Sequence, residues 1–235
     1  MVRRRSGLYV PRAASWNAQV LALPNLKWWS KLADASTPFT DDSGGGHTVA
    51  FPAGGTAQIT GPLSNGDKAF GAGTTNSTTT TASWMDVDGA WWGGWWFKTG
   101  TTGSERTVFA RGSNTTTYAW SCGISSTNKA LIRCRTSFGN TAQGSTTITD
   151  NAWHFGFGTW DGSVIKIYVD GTLEATSSSL TGSLPTGTGS FCLGGHGGTR
   201  LMTTGDGMAQ TMFGGGAAGA TLPTATDIAN LWAAR

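Results

Sequence analysis

The run from Asp150 to Thr176, DNAWHFGFGTWDGSVIKIYVDGTLEAT, constrains the fold more than any other part of the chain. Trp153, Phe155, Phe157 and Thr159 recur at every second position, Asp161-Gly162 interrupts them, and Ile165, Ile167 and Val169 resume the alternation up to Asp170-Gly171. A period of two marks a strand whose successive side chains point to opposite faces. Asp-Gly tolerates the positive φ angles of a tight hairpin. The segment predicts an antiparallel meander of three strands, with one aromatic and aliphatic face buried and a Ser, Lys and Tyr face partly exposed.

A chain of 235 residues can bury a substantial core, and an all-β sandwich of this length forms one main domain. Thirty-six Gly, abundant Thr and Ser, and scarce helical periodicity point to short strands joined by turns. Two short helices are expected, one within Ala13 to Leu21 ahead of Pro24, the other in TLPTATDIANLWAAR. In the second, Thr224 and Asp227 have capping-box spacing, and Ile228, Leu231 and Trp232 share one side that folds back on the sandwich. NSTTTTAS, from Asn76 to Ser83, reads as either an edge strand or a loop. No run approaches the roughly 18 apolar residues of a membrane span, and the Arg-rich start runs into GLYVPRAASWN, not an apolar signal core. Neither a membrane segment nor an export signal is expected.

The formal charge of +3 hides a division. Arg3, Arg4, Arg5, Arg12, Lys27 and Lys31 all precede the first acid, Asp34; sixteen basic residues less these six leaves ten against thirteen acids, a balance of about −3 for the remainder. Residues 1–24 therefore read as a basic arm and 25–235 as the folded domain. Such an arm suits docking on an acidic partner, and a solvated terminus is the other reading. Four Arg with little aromatic interleaving argue against nucleic acid as that partner.

Cys122 and Cys134 lie symmetrically about Asn128, so a hairpin turning there sets them nearly opposite: a cross-strand disulfide is one outcome, two separate buried thiols the other. Cys192 is left over, and no CxxC spacing suggests zinc. In GAWWGGWWFKTG, alternation places Trp91, Trp95 and Phe97 on one face and Trp92, Trp96 and Lys98 on the other. The doublet Trp28 and Trp29 divides likewise. Unless another layer covers them, some of Trp28, Trp29, Trp92 and Trp96 must face outward, toward a glycan, the arm or a neighbouring subunit of a homo-oligomer; subunit contact is favoured because aromatic side chains concentrate at interface centres.

Four segments in order resemble the laminin-G-like, concanavalin A-like jelly-roll superfamily, in the form found in bacterial surface proteins and in bacteriophage tail and surface proteins. NLKWWSKLADASTPFTDDSGGGHT is similar to its opening strand and acidic Gly-rich turn, ending at Asp42 to His47; GAWWGGWWFKTG to a central strand; WHFGFGTWDGSVIKIYVDGTLEAT to its most recognisable segment; FCLGG with MAQTMFGGGAAGATLPTATDIANLW to its closing strands and helix. The chain departs from the pattern at Ala209 to Phe213, where relatives carry an acid and an aromatic. The resemblance covers about Asn25 to Arg235 and implies an antiparallel jelly-roll β-sandwich. It also implies loops that hold calcium through carboxylates, for which Asp41, Asp42 and Asp206 are the candidates; the other reading is that these acids cap turns through their own backbone.

The scaffold hosts lectins, glucanases and structural modules alike, so chemistry must be argued from residues. A retaining glucanase needs two carboxylates about 5 Å apart. The only Glu residues, Glu105 and Glu174, lie in no ExDxE strand, and Asp86 with Asp88 beside Gly89 reads better as a solvated turn. No nucleophile elbow, phosphate loop or HExxH helix occurs, and His47, His154 and His196 are scattered. The sequence is thus expected to encode a non-catalytic, lectin-like protein of a bacteriophage virion surface, a minor tail or head-decorating component attached through Arg3, Arg4, Arg5 and Arg12 to other virion proteins. Host-surface polysaccharide is its expected ligand, and no cofactor is required, calcium apart. The alternatives are a bacterial surface carbohydrate-binding module and a divergent glucanase.

Overall fold

In the computed structural model, which describes residues 14–79, 82–112, 118–134, 140–179, 184, 190–196 and 200–235, the alternating segments pair into two antiparallel sheets. The first half contributes α1 (Trp16–Leu21), β1 (Leu26–Ser30), β2 (Thr56–Thr60), β3 (Lys68–Gly71), β4 (Ser77–Thr79), β5 (Trp91–Lys98), β6 (Arg106–Gly112) and β7 (Tyr118–Ile124). The second contributes β8 (Lys129–Cys134), β9 (Asn140–Thr147), β10 (Trp153–Trp160), β11 (Ile165–Val169), β12 (Thr172–Thr176), β13 (Phe191–Leu193), β14 (Gly207–Gly215) and α2 (Ala225–Ala233). The larger sheet runs β12-β11-β10-β5-β14-β3-β2, with β1 also paired to β14; the smaller runs β4-β13-β6-β7-β8-β9. The result is an all-β jelly-roll sandwich with a short C-terminal helix. The Thr-rich run supplies β4 as an edge strand. No helix among the described residues is long and apolar enough to cross a membrane.

The meander of β10, β11 and β12 forms as expected, and Asp170 (φ 51°) with Gly171 (φ 82°) makes the two-residue turn. Its face assignment needs correction. Gly156 pairs with Val169, Gly158 with Ile167 and Trp160 with Ile165, so the aliphatic side chains share a face with these residues and not with Phe155 and Phe157. Ile165, Ile167 and Val169 join the core between the sheets, whereas Phe155, Phe157 and Tyr168 join a second cluster outside it. The physical reason is that the Asp161-to-Val164 turn changes the phase of the alternation, so that Phe155 and Phe157 face the second cluster while Ile165, Ile167 and Val169 face the core.

Glycine makes the bulky rows compatible. A Cβ on Gly156 would lie 2.4 Å from the Trp95 indole, and one on Gly214 the same distance from that of Trp92. Each indole therefore lies across a residue with no side chain. This interdigitation explains how β5 can place four Trp, each 0–1% exposed, in one strand.

The second cluster is closed by helices. Ser15 caps α1, which packs Trp16 against Trp96 (5.8 Å between ring centres) and edge-on to Phe155 (5.4 Å). Thr224 and Asp227 form the expected capping box of α2, whose Ile228 and Leu231 are buried and whose Trp232 stacks on Trp96 at 5.3 Å. The packed structure thus begins ahead of residue 25. The helix predicted within the arm is part of the domain because Trp16, Val20 and Leu23 bury their side chains there.

Of the two outcomes weighed for Cys122 and Cys134, the structure shows two separate buried thiols. Cys122 pairs with Ile132 and Cys134 with Trp120, so the hairpin sets the two cysteines diagonally, and both are free. Burial in the core pushes both thiols well above their usual range, as does, for Cys122, the proximity of Cys134.

Candidate functional site

Each sheet has an outer face, and the two differ. On the larger sheet, Trp29, Trp92 and Trp96 point outward as alternation requires, yet they are at most 2% exposed because α1, α2 and Pro24 cover them. Trp28 points the other way, into the core, 5.0 Å from Phe191. None of the four offers a free indole face to a glycan or to the subunit contact favoured from the sequence; of the readings weighed there, a covering layer is the one found, formed by α1, in the predicted arm, together with Pro24 and α2. Gln210, itself buried, fixes that layer. Its Oε1 accepts hydrogen bonds from the indoles of Trp16 (3.1 Å) and Trp29 (2.9 Å), and its Nε2 donates to Asp67 (3.0 Å).

The outer face of the smaller sheet carries polar chemistry. In β8, Ile132 and Cys134 point into the core, so Arg133 points out, in one row with Ser121 of β7 and Thr141 of β9. The next row holds Thr107, Gly123, Leu131 and Gln143. Gly123 leaves the middle of that row without a side chain, and Arg133 reaches across β7 to Glu105, ahead of β6. Glu105 is also ion-paired with Arg200, whose Nε lies 2.9 Å from Oε1. Arg200 is held there by its own backbone: its residue adopts φ 50°, and its carbonyl accepts from the Thr107 amide at 2.8 Å.

One carboxylate is therefore clasped between two guanidiniums, with all three side chains 20–25% exposed. Nη1 of Arg200 is buried without an acceptor among the described residues. Beyond Arg200, His196 is buried and meets Tyr118 edge-on at 5.3 Å. Burial, and then the Arg200 charge, lower the His196 pKa to about 4, so its imidazole is neutral at pH 7. Glu105, Arg133 and Arg200 together carry one excess positive charge, beside the exposed Thr141 and Gln143 of β9. Such a surface can donate charge-assisted hydrogen bonds and supplies hydroxyl and amide partners.

The acids named for calcium do not come together. Asp41 accepts from the backbone amides of Trp29, Ser43 and His47, Asp42 pairs with Lys31 at 2.8 Å, and Asp206 accepts from Thr203 while lying 3.7 Å from Arg106. Their oxygens close turns, which leaves few for a cation. Among the described residues no group of three or more His, Cys, Asp or Glu is placed to hold a metal. Arg3, Arg4, Arg5 and Arg12 lie outside the described residues.

Sequence reasoning weighed Glu105 only as a catalytic acid and missed Arg133 and Arg200. Twenty-eight and ninety-five residues separate them from Glu105, so no local motif joins them. The available signal was Arg133 itself, a charge at an outward position of an otherwise apolar strand, LIRC.

A family model described as the Concanavalin A-like lectin/glucanases superfamily matches residues 73–207. No curated protein sequence matches the chain. Among solved structures, the binding domain of Paraclostridial Mosquitocidal Protein 1 superposes with a TM-score of 0.69 at 12% identity, over 88% of this chain and 52% of that one. A botulinum neurotoxin type C structure, described by the dependence of cell entry on interaction with two ganglioside molecules, gives 0.59 at 14%, over 92% and 52%. Domain 4 of AbnA, an extracellular arabinanase of Geobacillus stearothermophilus in complex with arabinotriose, gives 0.62 at 14%, over 89% and 98%. The chain spans about half the length of the toxin chains it matches. At these identities the likeness establishes the fold.

Proposed function

Because the chain belongs to the concanavalin A-like lectin/glucanase superfamily, we propose that it is a non-catalytic, lectin-like binding protein that takes a cell-surface glycan on the outer face of its smaller sheet. The observation that carries this reading is the Arg133–Glu105–Arg200 bridge, an array of directed donors on the sheet face that neither helix covers. Relatives described with gangliosides or arabinotriose support a glycan as the ligand class.

A non-catalytic role is supported by what the carboxylates already do. Asp86 accepts two hydrogen bonds from the buried Arg111, Glu105 is clasped by two guanidiniums, and Glu174 accepts from the amides of Ser145 and Thr146. Each of these carboxylates already has a structural partner, whereas a retaining glycosidase keeps a pair of carboxyl groups facing the substrate.

The setting proposed for this activity is a bacteriophage virion surface, with the protein a minor tail or head-decorating component held through Arg3, Arg4, Arg5 and Arg12. That part rests on the family resemblance of the sequence and on the charge division. Binding of the purified chain to a panel of bacterial envelope polysaccharides, with calcium and with chelator, tests the core of the proposal. Saturable binding that survives chelation and is lost in Arg133→Ala is expected, without release of reducing sugar. Absence of binding across the panel would reject the lectin reading, and sugar release would make the protein a glucanase.

A further inference from the structure

We infer that the glycan taken at this face is acidic, a polysaccharide whose carboxylates are read by Arg133 and Arg200. The inference rests on the lectin reading and specifies its ligand. Its grounds are a mismatch within the cluster. Two guanidiniums offer ten N–H donors, whereas one carboxylate faces them, and one of its oxygens, Oε1, takes a hydrogen bond from Arg133 and an ion-pair contact from Arg200. The face is left with one uncompensated positive charge and unused donors in a fixed geometry.

Among the described residues, nothing else nearby neutralises that excess. His196, the titratable group behind Arg200, is neutral above about pH 4 and brings no negative charge. Lys129, at the start of β8 itself, gives its ammonium to Ser145 and Thr147 of β9 and brings no negative charge. The residues between the arginines, Ser121, Gly123 and Thr107, are small, uncharged and themselves buried, so a carboxylate approaching the exposed parts of Arg133 and Arg200 meets Glu105 as the acid between them. Arginine forks match carboxylates in two-pronged geometry, which a neutral hydroxyl cannot exploit as strongly. Glu105 then acts in two opposed ways, pre-orienting both guanidiniums while competing with the ligand for them.

That opposition gives the inference a test that a merely structural ion pair would not satisfy. Binding to polygalacturonate and to its fully methyl-esterified counterpart is measured by calorimetry with the intact chain. The two probes share a backbone and differ in carboxylate charge. The acidic polymer is expected to bind at least tenfold tighter, with affinity falling as salt rises. Arg133→Gln and Arg200→Gln should each weaken the acidic polymer about tenfold and narrow its advantage over the ester, while Glu105→Gln should strengthen acidic binding severalfold by freeing both forks. Melting curves identify any variant whose fold has failed, and Arg133→Lys serves as a second variant that keeps the charge and loses the fork.

Equal binding of both polymers would overturn the acidic preference and leave the lectin reading standing. No binding of either by the wild-type chain, together with none across the neutral glycans of the envelope panel, would overturn both. Acidic selectivity that survives both Gln variants would place recognition elsewhere and overturn the assignment to this face.

Discussion

The larger sheet turns three tryptophans outward and then covers them with the chain's own ends, whereas the smaller sheet turns outward an arginine, a glutamine and a threonine that no helix covers. The same alternation produced both faces. What separates them is whether another segment of the chain is amphipathic enough to form a third layer. Trp16, Val20 and Leu23 before the first strand, and Ile228 and Leu231 after the last, supply it on one side only. An outward aromatic is therefore evidence of a partner, and in this molecule the partner is intramolecular.

The severest way to break this comparison is to remove the layer. Deleting residues 1–24 takes away three buried side chains at about 1.5–3 kcal/mol each, a loss on the scale of a whole domain's stability. A chain beginning at Ala14 keeps every contact described for α1. Urea unfolding followed by tryptophan fluorescence should show the first deletion unfolded or aggregated and the second cooperative. If both fold equally well, α1 is an ornament and the outward tryptophans are free for ligands.

A narrower break is made at Gln210. Replacement by Met keeps the volume but leaves two buried indole N–H groups without their acceptor and Asp67 without its donor. Burial already raises the Asp67 pKa, with the Gln210 bond acting against that rise, so losing the bond raises it further. A destabilisation of about 3 kcal/mol is expected, read from the shift of the urea midpoint. Loss of less than about 0.5 kcal/mol would mean that hydrophobic contact alone seats α1.

The fold was legible because it depends on local periodicity, and the third layer was half legible. The capping box and the apolar side of α2 announced a helix that folds back, and α1 was visible as a short helix ahead of Pro24. What could not be read was that Trp16 of α1 meets Trp96, since eighty residues separate them and an exposed and a covered indole look alike in sequence. The phase change at Asp161 hid in the same way: four residues of turn decide whether Ile167 shares a face with Phe157. At the candidate site, Arg133 was marked by its strand position, but its partners come from two loops whose approach only the tertiary pairing sets.

A pH titration sharpens the comparison at the rim of the covered sheet. His154 is bonded through Nδ1 to Asp170 (2.8 Å) and through Nε2 to Asp150 (3.1 Å), and the Asp170 bond is the leading cause of its raised pKa. The imidazolium is favoured in the folded state, so its contribution is full below the ordinary value of 6.5 and is lost as pH rises through the folded one. Asp150 has the opposite sign: bonded first to the Ala152 amide, its lowered pKa gives stability that disappears as pH falls. Melting temperature should therefore decline on the alkaline side of pH 6.5, and Asp170→Asn should flatten that decline. An identical slope in the variant would remove His154 from the account.

The smallest expected effect on stability falls at the outer face of the smaller sheet, and its smallness is informative. Arg133, Glu105 and Arg200 are each about one-fifth to one-quarter exposed, so water and salt screen their attraction. Arg133→Gln should change the unfolding free energy by no more than about 1 kcal/mol, against the several expected for losing α1. Evolutionary economy is not needed to interpret the contrast: an ion cluster that contributes little to folding is held in place by the backbone geometry of Arg200 and its hydrogen bond with Thr107. A loss above about 2 kcal/mol in the same urea experiment would show that the cluster is structural after all.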